Sequence, residues 1–371
     1  MTLTGGPLAV KIVEGIVFSI IIILSLVGNT LVVLAVYRHR SLRIVCNYYI
    51  VSLAIADLLV SLFVLPFSMM TVMLDAWVFG LAWCQIWMTL DVFLCTSSIM
   101  NLCAISVDRF RAITTPLKYA MNRSVSHVVI ISGIMWLVSL AVAITPVIFW
   151  SSSTSSLLED SGMCALPVDP AFVVTSSIIA FFVPCLLMIA CYFIILRVMR
   201  KKVRWSNKVS DGLQNPVTQK SVQDGQTVQQ NQAETSPVTN NTTAKDSAIL
   251  VSCETDKSEP STAQDNTNTI NQQSKHMQKT EEPPVTVRRV TATNKEGRAA
   301  KTLGIVMAVF CLCWIPFFVT NVVNSVFYEV NIDLFLAFVW LGYFNSMLNP
   351  LLYTCFNMEF RSAFKKLLFC S

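Results

Sequence analysis

The chain has 371 residues, of which 54% are hydrophobic and only 13% are charged. This balance excludes an ordinary soluble domain, and the net charge of +5 indicates membrane topology rather than nucleic-acid binding. Seven apolar stretches of roughly 20 residues or more can each cross a hydrocarbon core of ~30 Å. The sequence therefore predicts an all-α membrane protein, a seven-transmembrane helix bundle with spans at 13–37, 48–72, 84–107, 128–150, 171–196, 301–326 and 334–354.

Basic residues follow the first, third, fifth and seventh spans, whereas the opposite loops are acidic. Because Lys and Arg gather on the cytoplasmic side, we expect the N-terminus outside and the C-terminus inside. The first apolar run is too long for a cleavable signal peptide and lacks a cleavage site. The predicted segments are an extracellular N-terminus (1–12), spans one to five (13–200), a cytoplasmic loop (201–294), spans six and seven (295–356) and a C-terminal segment (357–371).

Two carboxylates lie inside apolar stretches without a basic partner, Asp57 in span two and Asp91 in span three. A charge at that depth is costly and by default marks a functional site. No Lys or Arg lies within the apolar core of any span, so we expect the cation opposite Asp91 to be a ligand ammonium. Around Asp57, the oxygens of Ser98, Asn345 and Asn349 predict a site for a small hard cation, and a protonated Asp57 is the alternative.

Aromatic side chains on spans six and seven are predicted to form a pocket opposite Asp91, with Cys95 one helical turn below it. A desolvated ammonium gains both ionic and cation–π attraction in such a setting. Rings that face lipid or the protein core are the alternative. The predicted aromatic wall is Trp314, Phe317, Phe318, Trp340 and Tyr343.

Only Cys84 and Cys164, of twelve cysteines, fall at the predicted extracellular face, where disulfides persist. We predict that they pair and tie the outer end of span three to the loop before span five; two free thiols are the alternative. All three histidines are predicted cytosolic, so a histidine metal site is not expected. No nucleophile–base constellation appears, so we expect no enzymatic activity.

Adjacent serines, Ser176 and Ser177, begin span five, and Ala180 follows one turn deeper. Serines in this position suit recognition of a phenol or catechol hydroxyl on the ligand. The alternative is that each hydroxyl bonds its own helix backbone.

The segments outside the spans differ from one another in composition. Residues 201–294 are polar with few aromatics, which predicts a disordered third cytoplasmic loop. Residues 357–371 carry apolar residues at helical spacing with basic residues between them, which predicts a short C-terminal interfacial helix on membrane lipid. Cys370 is a candidate for lipidation, with a free terminal thiol as the alternative.

Short motifs occur in order along the spans. They are Gly28-Asn29, Leu53-Ala54-Ile55-Ala56-Asp57, Asp108-Arg109-Phe110, Trp136, Pro184, Tyr192, Cys313-Trp314-Ile315-Pro316-Phe317-Phe318 and Asn349-Pro350-Leu351-Leu352-Tyr353. Together they resemble a rhodopsin-like (class A) G-protein-coupled receptor of the biogenic-amine group, most similar to the inhibitory dopamine subfamily. Internal repeats, which would favour a transporter for cationic amines as the competing class, are not evident.

The resemblance implies that Asp91 is the amine counter-ion, that Tyr343 hydrogen bonds near it, and that sodium is the cation at Asp57. Asn321, Val339 and Ala180 depart from the inhibitory dopamine pattern. The further pocket residues that the resemblance implies are Val92, Thr96, Leu166, Asn321 and Val339.

The resemblance also implies an activation switch at the inner face. An ion pair between Arg109 and Glu296, with Asp108 beside it, would hold the inner face closed until an agonist biases it open. The other predicted members are Ile99, Pro184 and Phe310, which relay ligand contact to span six, and Tyr192 and Tyr353, which reorganise around Arg109.

These features predict a plasma-membrane receptor that binds a biogenic amine and signals through a heterotrimeric G protein. The long third loop and short tail resemble receptors of the inhibitory Gi/o class, and arrestin is a further expected partner. Dopamine is the first choice of agonist, followed by serotonin and then by octopamine or tyramine.

Overall fold

In this computed structural model, the structure describes residues 8–165, 169–214 and 285–369, and their regular elements are all helical. We number the α-helices in chain order. They are α1 (Leu8–Arg38), α2 (Asn47–Phe63), α3 (Leu65–Leu74), α4 (Gly80–Thr114), α5 (Pro116–Asn122), α6 (Val125–Ser161), α7 (Pro170–Ser177), α8 (Val183–Gln214), α9 (Val285–Val326), α10 (Ile332–Phe356) and α11 (Met358–Phe369).

Seven helices among the described residues are long and apolar enough to cross a membrane. Their exposed surfaces are rich in Leu, Ile, Val and Phe, as a lipid-facing surface requires. The protein is therefore a multi-pass membrane protein with the predicted all-α fold. Span one is α1, span two is α2 with α3, span three is α4, span four is the first part of α6, span five is α7 with α8, span six is α9 and span seven is α10.

Prolines shape several spans, because proline lacks the N–H that a helix interior needs. Span two is interrupted at Val64, two residues before Pro66. Span five contains a π-helical turn, Ile178–Phe182, just before Pro184. Pro316 and Pro350 lie inside spans six and seven.

Span three is the most buried of the spans and packs against both span two and span four. Span one packs against spans two and seven. Gly28 makes the contact between spans one and seven possible, because a Cβ at that position would lie 2.8 Å from the Pro350 ring. Polar side chains such as Asn29, Asp57 and Asn101 are fully buried in this interior, where they need hydrogen-bond partners.

By its internal contacts the chain divides into residues 1–199 with 294–371 and a second unit of residues 200–293. The third loop was predicted to begin at residue 201 and end at 294, whereas α8 continues to Gln214 and α9 begins at Val285; its disorder stays a prediction. Helices propagate easily from a formed span, and residues 201–214 include Lys, Arg, Leu and Gln, which favour a helix. The remainder of that loop lies outside the described residues.

The C-terminal helix α11 packs on spans one and seven, with Phe360, Ala363 and Phe364 buried. Its basic residues Lys365 and Lys366 remain exposed. This arrangement places an amphipathic helix at the predicted position next to the end of span seven. Cys370, the predicted lipidation site, lies outside the described residues, as does the predicted N-terminal segment up to Pro7.

Candidate functional site

Asp91 lies in the N-terminal half of span three, where two donors approach its carboxylate. The thiol of Cys95, one turn deeper, lies 3.3 Å from the carboxylate, and the Tyr343 hydroxyl of span seven lies beside it. Ser68 of span two neighbours the same tyrosine. Within the described residues the recorded ion pair is Lys11 with Asp75, so the Asp91 carboxylate has donors but no cation beside it.

The aromatic residues on spans six and seven come together near this carboxylate. Phe317 and Phe318 lie 5.1 Å apart edge to face, and Trp314 lies within 6.0 Å of both ring centroids. Cys95 packs against the cluster that contains Trp314 and also against the cluster that contains Tyr343. The helix turn that carries Asp91 therefore lies between the aromatic groups of spans six and seven.

Two contacts at this level were not predicted. Phe18 of span one stacks on Trp340 with ring centroids 3.6 Å apart, so Trp340 joins spans one and seven as well as packing edge-on against Tyr343. The Trp314 ring lies against Gly342, where an added Cβ would approach it to 2.8 Å. The sequence signal for the second contact is a glycine beside Tyr343, but its packing partner is visible only in three dimensions.

The two serines of span five differ in their surroundings. The Ser176 hydroxyl donates to the Val173 carbonyl of its own helix at 3.2 Å. Ser177 is 1% exposed, and its hydroxyl has no hydrogen-bond partner among the described residues. A buried hydroxyl without a partner is costly, so Ser177 is the better candidate to meet a ligand. Ala180 is buried one turn deeper and offers no donor.

The other predicted pocket residues occupy the same part of the bundle. Val92 and Thr96 lie on span three, and Asn321 and Val339 are partly buried on spans six and seven. Leu166 lies outside the described residues. A disulfide joins Cys84 to Cys164 and fixes the outer end of span three to the loop that precedes span five.

Asp57 is fully buried and accepts three hydrogen bonds. Ser98 and Ser346 donate to Oδ1 at 3.1 and 2.8 Å, and Asn349 donates to Oδ2 at 2.8 Å. Ser346 was not predicted, although its i, i+3 spacing to Asn349 places the two on one helix face. Asn345 is buried, but the bonds recorded for Asp57 come from its neighbours.

The chemistry of this cluster fits a small hard cation. It offers two carboxylate oxygens and two hydroxyl oxygens, and Asn349 Oδ1 is a buried acceptor that has no partner among the described residues. Oxygen donors of this kind are the ligands that such cations prefer. If sodium binds there, Asp57, Ser98, Ser346 and Asn349 are the residues that would hold it.

At the C-terminal end of span three, predicted to be cytoplasmic, Asp108 and Arg109 have different neighbours. Asp108 accepts a hydrogen bond of 2.9 Å from Tyr119 of α5. Burial and the nearby Asp108 charge raise the pKa of Tyr119, which keeps its hydroxyl protonated as a donor. Arg109 lies close to the buried Cys46, and both line the same cavity; the sequence did not indicate this neighbour. The side chain of Glu296, the predicted partner of Arg109, lies outside the described residues.

The predicted relay residues lie in the interior between the two ends. Ile99, Pro184 and Phe310 are buried. Phe310 packs on Phe181 at 5.9 Å, and Phe181 in turn stacks on Phe318 of the aromatic wall at 4.3 Å. A continuous series of aromatic contacts therefore connects the wall beside Asp91 to the middle of span six.

A cavity of about 420 Å³ lies at the predicted inner end of the bundle. Arg109, Tyr353, Ser106 and Met307 are among its lining residues. The Tyr353 hydroxyl has no hydrogen-bond partner within the described part of the chain, and its ring packs on Phe360 of α11. Tyr192 of span five lies against Gly304 of span six. Of the predicted switch residues, Arg109, Phe310 and Tyr353 line this cavity, whereas Tyr192 packs on span six outside its lining.

Comparison with known proteins agrees with this arrangement. The sequence profile of the family described as 7 transmembrane receptor (rhodopsin family) matches residues 28–353. The chain is 35% identical to an octopamine receptor from Bombyx mori, over 96% of this chain and 88% of that protein. It is 36% identical to a tyramine receptor from Caenorhabditis elegans, over 97% and 84%. It is 33% identical to an alpha-1A adrenergic receptor from Oryzias latipes, over 96% and 67%.

These relatives are named for octopamine, tyramine and adrenergic ligands, so the expected similarity to the dopamine subfamily is not confirmed. They are receptors, not enzymes, and the family pairs an amine ligand with a G-protein partner. The motif order, the seven spans, the carboxylate of span three and the sequence matches agree. The chain belongs to the rhodopsin family of seven-transmembrane receptors, within the biogenic-amine G-protein-coupled receptors.

Proposed function

We propose that this chain is a plasma-membrane receptor for a phenolamine, tyramine or octopamine, with its N-terminus outside the cell. One observation carries the choice of ligand class. Asp91 supplies one anionic partner for an ammonium, and Ser177 supplies one unpartnered hydroxyl, with Ala180 in place of a second donor one turn deeper. A phenolamine carries one ammonium and one phenol hydroxyl, which matches this set.

The competing amines fit the same set less well. Dopamine carries two adjacent hydroxyls, and the second would be left facing the apolar Ala180, at the cost of an unmade hydrogen bond. Serotonin carries a single hydroxyl, but its indole is bulkier than the phenol ring of tyramine or octopamine. The names of the relatives, an octopamine receptor and a tyramine receptor among them, support the phenolamine choice over the dopamine that we expected from the sequence.

The proposed binding mode uses the contacts around Asp91. The ammonium binds the Asp91 carboxylate between the Tyr343 hydroxyl and the rings of Phe317 and Phe318, where ionic and cation–π attraction add. The phenol ring extends toward span five, and its hydroxyl bonds Ser177. The pocket residues Val92, Thr96, Asn321 and Val339 complete the walls.

The proposed signalling mechanism begins at the aromatic contacts. A ligand ring against Phe318 changes its packing on Phe181, and Phe181 contacts Phe310. Span six then shifts near Ile99 and Pro184, and the inner cavity beside Arg109 widens for a G protein of the Gi/o class. Arrestin competes for the same inner surface. Sodium bound at Asp57 favours the closed state, so agonist and sodium oppose each other.

An amine panel tests this proposal. The full chain is expressed in cells that report cyclic AMP, and tyramine, octopamine, dopamine and serotonin are applied separately. We expect tyramine or octopamine to lower cyclic AMP at the lowest concentration, and dopamine to need at least about fivefold more, which corresponds to one hydrogen bond of about 1 kcal/mol. A panel in which dopamine or serotonin acts at the lowest concentration would overturn the phenolamine assignment.

A further inference from the structure

Two thiols meet between spans five and six. The sulfur atoms of Cys185 and Cys311 lie 3.6 Å apart, although the residues are 126 positions apart in the chain. Neither residue takes part in the amine site, the cation cluster or the inner cavity described above. This contact joins two spans whose relative movement the proposed signalling mechanism requires.

Aromatic packing holds this thiol pair in position. Phe181, one turn before Cys185, stacks on Phe318 of span six at 4.3 Å. Phe310, the chain neighbour of Cys311, packs on the same Phe181. The pair therefore sits directly beside the ring contacts that connect spans five and six, so the sulfur atoms are kept close without a bond between them.

The two thiols differ in access. Cys185 is 5% exposed, whereas Cys311 is partly exposed. Ala308, Ile315 and Val319 lie at helical spacing from Cys311 and are exposed on the same face of span six. Because this is a membrane-spanning helix, that face borders lipid. A reagent dissolved in the bilayer therefore reaches Cys311 more readily than Cys185.

We propose that Cys185 and Cys311 form a redox site inside the membrane, which a lipid hydroperoxide converts to a disulfide. Partly accessible thiols with a second thiol beside them are typical of reversible thiol oxidation, in which the first is oxidised and the second resolves it. Here Cys311 is the oxidised thiol and Cys185 is the resolving thiol.

The chemistry balances in two steps. The Cys311 sulfur attacks the terminal oxygen of the hydroperoxide, the O–O bond breaks, and the thiol proton passes to the departing alkoxide, which gives a sulfenic acid and a lipid alcohol. The Cys185 sulfur then attacks the Cys311 sulfur, the S–O bond breaks, and water leaves with the Cys185 proton. Two thiols lose two electrons, and the hydroperoxide is reduced to an alcohol and water.

The disulfide would shorten the sulfur–sulfur distance to about 2 Å and tie span five to span six. Agonist-driven movement of span six against span five would then be blocked, so oxidation would suppress signalling while leaving the amine site intact. This regulatory consequence rests on the proposed function; formation of the cross-link does not.

The cross-link is tested with the full chain in phospholipid vesicles. Cumene hydroperoxide, which partitions into bilayers, is added, free thiols are alkylated, and unreduced peptides are analysed by mass spectrometry. We expect a peptide that joins Cys185 to Cys311 and disappears on reduction. Cys185→Ser should instead accumulate a sulfenic acid at Cys311, trapped with dimedone, and Cys311→Ser should leave Cys185 as a free thiol.

Cys313→Ser is the matched control, because Cys313 is a buried cysteine on the same helix, and it should cross-link as the wild type does. No linked peptide in the wild type, or equal oxidation of Cys185 when Cys311 is absent, would overturn the proposed site.

Signalling is measured in parallel as tyramine-stimulated nucleotide exchange on a purified G protein. Oxidation should suppress exchange in the wild type and in Cys313→Ser but not in Cys311→Ser, while antagonist binding remains. A formed cross-link with unchanged signalling would overturn the regulatory claim. Absence of any amine response before oxidation would count against the proposed function and leave the cross-link result standing.

Discussion

At the scale of single residues, Asp91 determines the charge of whatever binds in the pocket. Its carboxylate is held by Cys95 and Tyr343, which fix its orientation but leave its charge unneutralised. An ammonium therefore has a prepared partner, and an uncharged analogue of the ligand would leave that charge buried and unpaired.

Asp91→Asn should reduce tyramine affinity by at least about 100-fold, because breaking a buried ion pair costs roughly 3 kcal/mol or more. Competition with a labelled antagonist that lacks a charge measures the loss without depending on signalling. Asp333→Asn, which removes an exposed carboxylate at the start of span seven, is the matched control. Equal affinities of wild type and Asp91→Asn would remove the central claim.

The two serines of span five test which hydroxyl of the pocket binds the ring hydroxyl of the ligand. Ser177→Ala should reduce tyramine affinity about fivefold, through the loss of one hydrogen bond of about 1 kcal/mol. Ser176→Ala should change it far less, since the Ser176 hydroxyl already bonds Val173. Phenethylamine, which lacks the ring hydroxyl, is the control ligand and should not distinguish the variants. A larger loss in Ser176→Ala would reverse the assignment of the two hydroxyls.

The sequence was enough to predict residues whose burial costs free energy, but it did not predict most of the residues that contact them. Asp57 and Asp91 stood out because a carboxylate in an apolar stretch is costly wherever the helix lies. Ser346 did not, because a serine in a helix commonly bonds its own backbone. Cys46 and Phe18 were missed because the sequence around an apolar side chain does not show which neighbour it contacts. The proximity of Arg109 to Cys46 depends on how the helices pack.

At the scale of helices, periodicity located the spans but not their irregularities or full lengths. The interruption at Val64 has a local cause, the nearby Pro66. The π-helical turn at Ile178–Phe182 lies just before Pro184, and hydropathy alone gives neither its place nor its length. The ends of α8 and α9 extend past the predicted membrane boundary because hydropathy marks where lipid ends, and helix formation does not stop there.

Spans two, three and seven converge on Asp57, which predicts a sodium effect on agonist binding. Raising sodium should weaken tyramine binding without an equal loss of antagonist binding, because a ligand that prefers the ion-free state opposes the ion. Asp57→Asn should remove this dependence, and Ser346→Ala should reduce it. The measurement is tyramine competition at a series of sodium concentrations, with potassium holding ionic strength constant.

Ser106→Ala is the matched control for that measurement. The Ser106 hydroxyl is buried, like that of Ser346, but it lies on span three and donates to the Leu102 carbonyl of its own helix at 3.0 Å. Tyramine binding to Ser106→Ala should therefore depend on sodium as it does in the wild type. A full sodium effect that survives in Asp57→Asn would place the ion elsewhere in the bundle.

At the scale of the whole molecule, the two ends of the bundle are connected through its interior. The aromatic wall beside Asp91 contacts Phe181 and Phe310 in turn, and the inner cavity begins among their neighbours on span six. A protein with two such ends can link ligand affinity to partner binding if the same interior packing has two arrangements. The buried polar residues of spans two, three and seven provide hydrogen bonds that can be exchanged between those arrangements.

This connection predicts reciprocal effects of tyramine and G protein. In vesicles that contain the receptor and a purified Gi/o heterotrimer, tyramine should bind roughly tenfold more tightly than to the receptor alone, within the range usual for coupling between sites. A non-hydrolysable GTP analogue should release the G protein and abolish the difference, while antagonist affinity stays constant. Arg109→Ala, which alters the cavity and not the amine pocket, should also lose the difference.

Gs and Gq heterotrimers serve as matched partners in the same assay, and a larger shift in tyramine affinity with either would refute the Gi/o assignment. If tyramine affinity changes with neither the Gi/o heterotrimer, nor the GTP analogue, nor Arg109→Ala, the inner cavity and Asp91 are not energetically connected.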